Sequence, residues 1–402
     1  MSKENLGVWL SRFAVVGVLF LLFGPWVLPN NSFYHRAIIF FLWLPAFVHF
    51  CLFRKGYPPI HKLFFWLYIA ISAWYIFVLL MTIDGWEDAR EFKLPFYVAF
   101  SLLGILVAAM HLKERFRDFL LLCGVLGGLA AGVTCLYVYW VQGHFLGYRV
   151  ASLGVWRVVI PVAQACGALA ILTAMLWLEI RRGASVIVVV LIALLGYLVF
   201  LYFNQSRWVW LCLVLSFLGT GVLLRNRAAY VMAAMSVLLL IVVVFVKPTL
   251  LLSRGLSYRP ELWLGGLSLL LDNWVHGVGF QEYWIKVATL KVGSRHPHNM
   301  FLDIGIRFGV LGLLLWIGLW CWAGWRAFTH RHSAMGEAAV GLWLYSGLVV
   351  LTEGIAPWVK PSPIWFVTWL PLALVLVIDT LARQGKLGGA ASTPTPGGPP
   401  SV

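Results

Sequence analysis

Long apolar runs separated by short polar breaks fill this chain from end to end. They lie near 8–28, 36–53, 63–82, 94–112, 119–140, 158–178, 185–203, 208–224, 230–246, 300–325, 338–352 and 363–382, and each is nearly free of charge. About 18 or more apolar residues suffice to cross a hydrocarbon core of roughly 30 Å. Lipid offers backbone N–H and C=O groups no partners, so such runs must be helices. The pattern predicts an all-α integral membrane protein with about twelve transmembrane helices. Val8–Leu28 is too long for the apolar core of a cleavable leader and lacks a small-residue cleavage site, so it reads as the first span.

The polar breaks divide the chain unevenly. Residues 1–246 carry spans one to nine, 247–299 form one large loop, 300–386 carry spans ten to twelve, and 387–402 read as a disordered cytoplasmic tail. A loop as long as Lys247–Asn299 is usually functional or disordered, and this one is not of low complexity. Pro260-Glu261-Leu262-Trp263 opens a helix with proline in its first turn, and Leu264–Leu271 continues it. Gly277-Val278-Gly279 breaks it. Gln281–Leu290, with Tyr283 and Trp284, reads as a second short amphipathic helix. Both are expected to lie over the membrane face, packed on the bundle.

Composition agrees with the pattern: 62% of residues are hydrophobic and 11% charged, where a soluble chain would carry about 25% charge. Mean hydropathy is +0.89. The net charge of +15 is partly topological. With the N-terminus inside, the cytoplasmic loops hold Arg54, Lys55 and Lys62, then Lys113, Arg115 and Arg117, Arg181 and Arg182, Arg225 and Arg227, Arg326 and Arg331, and finally Arg383 and Lys386. The first long outer loop, Ile83–Lys93, is acidic, with Asp84, Glu87, Asp88 and Glu91. No nucleic-acid motif is present. Arg149, Arg157, Arg207, Lys247, Arg254, Arg259, Lys286, Lys291 and Arg295 fall on the outer side against the rule, which suggests an anionic ligand there. The six cysteines all fall within spans, so they form neither a disulfide framework nor a zinc spacing and read as small apolar residues.

The candidate chemistry gathers on that outer face, around Arg295-His296-Pro297-His298-Asn299. Ionisable groups at a membrane boundary mark a site by default. Pro297 keeps His296 out of helical geometry, so the tenth span should start near His298 or Asn299, leaving His296 on the loop. His298 can take a proton from a hydroxyl; the bland alternative is an interfacial histidine without a catalytic role. Asp303 and Arg307, four apart, can form an internal helix ion pair. Arg207 and Arg259 suit phosphate oxygens through their bidentate fork, or they snorkel to lipid headgroups. Arg149 and Arg157 flank the start of span six. Arg295, His296 and Asn299 are secondary candidates, and so is Lys360 between spans eleven and twelve, whose alternative is a solvated loop lysine. His296, His298 and Asp303 could also be metal ligands. Alternate residues across a proline do not share a helix face, however, so the expectation is no metal and no other cofactor.

The layout and these motifs resemble the O-antigen ligase family, within the wider O-antigen ligase/polymerase group of bacterial membrane glycosyltransferases. The matching pieces are Ser206-Arg207 opening a span, Tyr258–Trp263, Gly277-Val278-Gly279, and His296–Asp303 followed by Gly309-Val310-Leu311-Gly312. Arg149–Ala165 is similar more loosely, with Ile160-Pro161 where an Asn-Pro-like pair is expected. The resemblance implies a GT-C-like enzyme with a periplasmic active site in the Gram-negative inner membrane. Its donor would be undecaprenyl-diphosphate-linked O-antigen, its acceptor a hydroxyl of lipid A–core oligosaccharide, and its product complete lipopolysaccharide. Transfer would invert the anomeric centre without metal or nucleotide, with His298 as general base and Arg207 and Arg259 on the diphosphate. Three alternatives stay open: an O-antigen polymerase, a protein O-glycosylation ligase, and a non-enzymatic transporter of lipid-linked glycans.

Overall fold

A computed structural model describes residues 2–83, 85, 90–145, 147–178, 183–246, 258–286 and 293–384. Asp84, Glu87, Asp88, Arg181, Arg182, Lys247, Arg254, Lys291, Lys386 and the expected tail 387–402 lie outside the described residues.

The chain is an all-α membrane protein. Its helices are α1 (Lys3–Leu22), α2 (Asn31–Gly56), α3 (Lys62–Thr82), α4 (Arg90–Leu112), α5 (Arg115–Val141), α6 (Val159–Leu178), α7 (Ala184–Asn204), α8 (Arg207–Leu224), α9 (Arg227–Val246), α10 (Arg259–Asp272), α11 (Met300–Thr329), α12 (Ala334–Val349) and α13 (Pro363–Ala382). Ten of these, among the described residues, are long and apolar enough to cross a membrane. Apolar stretches in α9 and α12 fall short of that length and stand where the ninth and eleventh spans were expected. α13 is buried along its whole apolar window and forms the centre of the bundle. Away from the centre, small residues let helices touch backbone to backbone. A Cβ on Gly128 of α5 would run into Ala193 O of α7, and one on Gly196 of α7 into Gly128 O.

Within the large loop one helix is where the sequence put it. α10 buries Leu262, Gly266 and Leu270, four residues apart, against the start of α11. The second expected helix, over Gln281–Leu290, is a correction. Residues 281–286 are not helical, and Ile285 pairs in antiparallel fashion with Ser294 through two backbone bonds of 2.8 and 3.0 Å. Burial explains it: Tyr283 and Ile285 are buried while Glu282, Trp284 and Lys286 are exposed. That is the period of two of an extended chain, not a helical period.

α11 is not one straight helix. Gly309 breaks it with φ 67° and ψ −175°, a region essentially reserved for glycine. The break leaves carbonyls of the upper turn without helical partners, and the loop and α3 supply them. Val278 N donates to Ile306 O at 2.9 Å, Gly279 N to Arg307 O at 2.8 Å, and the Trp74 indole to Phe308 O at 2.7 Å. In return Val310 N donates to Trp274 O at 2.8 Å. The two glycine motifs read separately in the sequence are thus one backbone junction.

At the far end of α11, Arg326 pairs with Asp379 of α13, which Arg383 and His330 also contact at 3.1 and 3.2 Å. Arg326, read from the sequence as a topology charge, therefore also fastens the central helix, while Arg383 pairs with Asp379 one turn back along its own helix.

Candidate functional site

α7 ends, α8 begins, α6 begins, α11 begins and α12 ends at the same end of the bundle, and their termini build the site. Asn204, the last residue of α7, is buried. Its amide donates to Val150 O and Val159 O, both at 2.8 Å, and its Oδ1 accepts from Ser206 Oγ. Arg149 Nε donates to Asn204 O at 3.0 Å. The left-handed Gln205 (φ 61°) then turns the chain so that Arg207 opens α8. On the other side, left-handed Tyr258 (φ 56°) sets Arg259 at the first position of α10.

These turns surround a cavity of about 100 Å³ lined by Arg149, Gln164, Ser206, Arg207, Arg259 and Glu353, among others. Three guanidinium groups face one carboxylate, so the lining carries net positive charge. The cavity suits a small polyanionic group such as a diphosphate.

His298 joins this cavity through Glu353. Its Nδ1 lies 2.6 Å from Glu353 Oε2, and Arg259 Nη2 lies 3.9 Å from the same oxygen. The segment bearing Glu353 is held from three sides. Met300 N donates to Val350 O at 3.0 Å, Gln164 Nε2 to Glu353 O at 3.2 Å, and Ala356 N to Asp303 Oδ2 at 2.6 Å. Asp303 is fully buried and also accepts from the Tyr283 hydroxyl and from Arg307 Nε at 3.3 Å. The expected helix pair with Arg307 exists, but Asp303 also ties loop, α11 and the Glu353 segment together. Burial first, and the Asp303 carboxylate second, push the Tyr283 phenol well above its ordinary pKa, so it stays a donor.

The helix start is where the sequence put it. Asn299 caps α11, accepting from Leu302 N at 3.1 Å, which assigns it a structural task. His298, just before the cap, takes a left-handed φ of 54°. That turn brings the His296 and His298 rings within 4.0 Å, although they alternate across Pro297. Burial, and then the neighbouring His298, hold the His296 imidazole below the usual histidine pKa.

Of the residues singled out in the sequence, Arg149, Arg207 and Arg259 meet at the cavity, and His298 and His296 stand beside it. Arg295 turns instead to Glu282 at 2.9 Å and to the Trp284 ring at 4.7 Å. Arg157 and Lys360 are exposed and are not among the lining residues. Glu353 was missed by sequence reasoning. A signal existed: it is the single acid between Glu337 and Asp379, in a stretch otherwise almost free of charge. The metal-ligand set changes too, because Asp303 is committed elsewhere and Glu353 takes its place beside the two histidines.

Comparison with known proteins bears out the resemblance read in the sequence. Residues 192–317 match a family model described as O-antigen ligase. That range holds Arg207, Arg259, both histidines, Asp303 and the Gly309 break. The chain is also 25% identical over 366 residues to an O-antigen ligase of Pseudomonas aeruginosa, covering 90% of each protein.

Proposed function

We propose that this chain, a relative of the O-antigen ligases through residues 192–317, transfers a glycan from undecaprenyl diphosphate to a hydroxyl of lipid A–core oligosaccharide. The reaction completes lipopolysaccharide and releases undecaprenyl diphosphate. One arrangement carries the reading: three arginines from separate elements line a cavity whose one carboxylate among the described residues also touches a histidine.

Each group has a task. Arg207 and Arg259, with Arg149 behind them, hold the diphosphate and offset the charge that builds as the anomeric C–O bond breaks. A diphosphate leaves readily, so no strong general acid is needed. Glu353 fixes the tautomer of His298: Nδ1–H donates to the carboxylate, which leaves the Nε2 lone pair free. The acceptor hydroxyl gives its proton to Nε2, and its oxygen attacks the anomeric carbon opposite the leaving group, inverting the centre. The bonding pair departs with the diphosphate. Every group this scheme needs is a side chain, so transfer proceeds without metal or nucleotide.

The fold would be GT-C-like. The short basic loops would place both termini in the cytoplasm and the active site on the periplasmic face of a Gram-negative inner membrane. Polymerase and protein-ligase readings use the same donor chemistry and differ in the acceptor. A glycan transporter needs the cationic cavity but not the His298–Glu353 pair.

The test is transfer in vitro by purified protein in detergent, from lipid-linked O-antigen donor to lipid A–core, with His298→Ala and with EDTA. Laddered lipopolysaccharide that persists in EDTA and disappears in a folded His298→Ala is expected. Donor chains that lengthen without reaching lipid A would move the assignment to polymerase. Absence of transfer to any acceptor would refute the enzymatic reading.

A further inference from the structure

The pair His298–Glu353 has a third neighbour that the transfer scheme does not use. His296, His298 and Glu353 each offer a ligand atom, and these atoms lie within 4.8 Å of one another. We propose that this cluster is a binding site for a divalent transition ion, with Zn2+ the best fit, and that the ion inhibits the enzyme by occupying the base and its carboxylate together.

Three observations support the site. The donor set, two imidazoles and one carboxylate, is one that zinc takes readily. The left-handed turn at His298 draws the two ring centroids to 4.0 Å, closer than the roughly 6.6 Å that separates alternate residues of an extended chain. His296 Nδ1 is buried and has no hydrogen-bond partner. A buried polar atom without a partner is costly, and a metal ion would relieve it.

The surroundings set the selectivity. Arg259 lies 3.9 Å from Glu353 Oε2 and opposes any cation by charge alone. Mg2+ and Ca2+ bind chiefly through charge and prefer all-oxygen ligands, so this site disfavours them. Zn2+, Ni2+ and Cu2+ gain from the imidazole nitrogens and tolerate the opposing guanidinium.

Binding stands on these residues alone; inhibition rests on the transfer reaction proposed above. The full chain in detergent, freed of any histidine tag, is titrated with Zn2+ by calorimetry and with Co2+ by its visible absorption. Wild type, His296→Ala and Glu353→Gln are compared, each first shown to melt cooperatively. The expected result is one ion per wild-type chain at micromolar concentration and no competition from excess Mg2+. In both variants affinity should fall by more than the roughly 10–100-fold that loss of a mere supporting hydrogen bond costs a metal site. No saturable binding, or binding unchanged in His296→Ala, overturns the site. In the transfer assay, Zn2+ should inhibit wild type reversibly, EDTA should restore it, and His296→Ala should resist relative to its own zinc-free rate. Binding without inhibition of a working transferase overturns the inhibitory half. A preparation that binds Zn2+ but transfers no glycan counts against the proposed function and leaves the metal site standing.

Discussion

Replacing Glu353 by glutamine isolates the contribution of one carboxylate to the base. The substitution keeps the shape of the side chain and a hydrogen-bonding end, and removes only the charge. A hydrogen bond involving a charged group contributes about 1.5–3 kcal/mol. The side chains of His298 and Glu353 are 29% and 12% exposed, so some solvent screening applies. The lower end, about 1.5–2 kcal/mol, is appropriate. Each 1.36 kcal/mol is a factor of ten in rate, so kcat should fall roughly 10- to 30-fold. The KM for the lipid-linked donor should not rise, because Arg259 loses a competitor for the diphosphate and nothing that binds it. The assay is steady-state transfer with donor and acceptor varied separately, on wild type, Glu353→Gln, His298→Ala and the double variant. Residues acting as a unit are non-additive, so the double variant should be no slower than His298→Ala alone. Wild-type kcat in Glu353→Gln, or a raised donor KM with kcat untouched, would refute the assignment of Glu353 to the base.

The other expectations concern what holds the site in place. Asp303→Ala leaves Arg307, Tyr283 and Ala356 N without their buried acceptor; breaking a buried pair costs about 3–5 kcal/mol, and the partial exposure of Arg307 puts this one near 3 kcal/mol, readable as a clear drop in melting temperature. An unchanged melt would show that the clamp carries no load. Gly309→Ala forces a Cβ into a conformation costing about 1–3 kcal/mol and into Val275 O, so folded yield and melting temperature should both fall. Arg157→Ala should transfer glycan like wild type, whereas Arg149→Ala, at the cavity wall, should raise the donor KM; equal effects of the two would remove Arg149 from the diphosphate site.

Much of this was legible in the sequence because lipid reduces the choices. A chain with these apolar runs must be helical, and ionisable groups that the expected topology does not require stand out by position. Arg207, Arg259 and His298 were singled out that way. Glu353 was not, because its bond to His298 joins residues 55 positions apart and depends on where α12 ends relative to the start of α11. No local pattern encodes that meeting. Residues 281–286 were misread for a different reason. Two adjacent aromatics suggested an amphipathic helix, whereas the alternation of Tyr283 and Ile285 with Glu282, Trp284 and Lys286 is that of an extended strand. The break at Gly309 was invisible because apolar composition records that a segment is buried, not the torsions its backbone adopts.

That break bears on how the protein is made. Residues 310–329 number twenty, about 30 Å of helix, enough to cross the hydrocarbon unaided. Of the nine residues before them, 300–308, the last three carbonyls take their partners from residues 278–279 and the Trp74 side chain. Both of those leave the ribosome first. The loop must therefore wait for residues 300–329 to arrive before either can settle. Insertion and maturation of the site become a single late event, and a chain halted before residue 310 would carry both histidines and the arginines without assembling them.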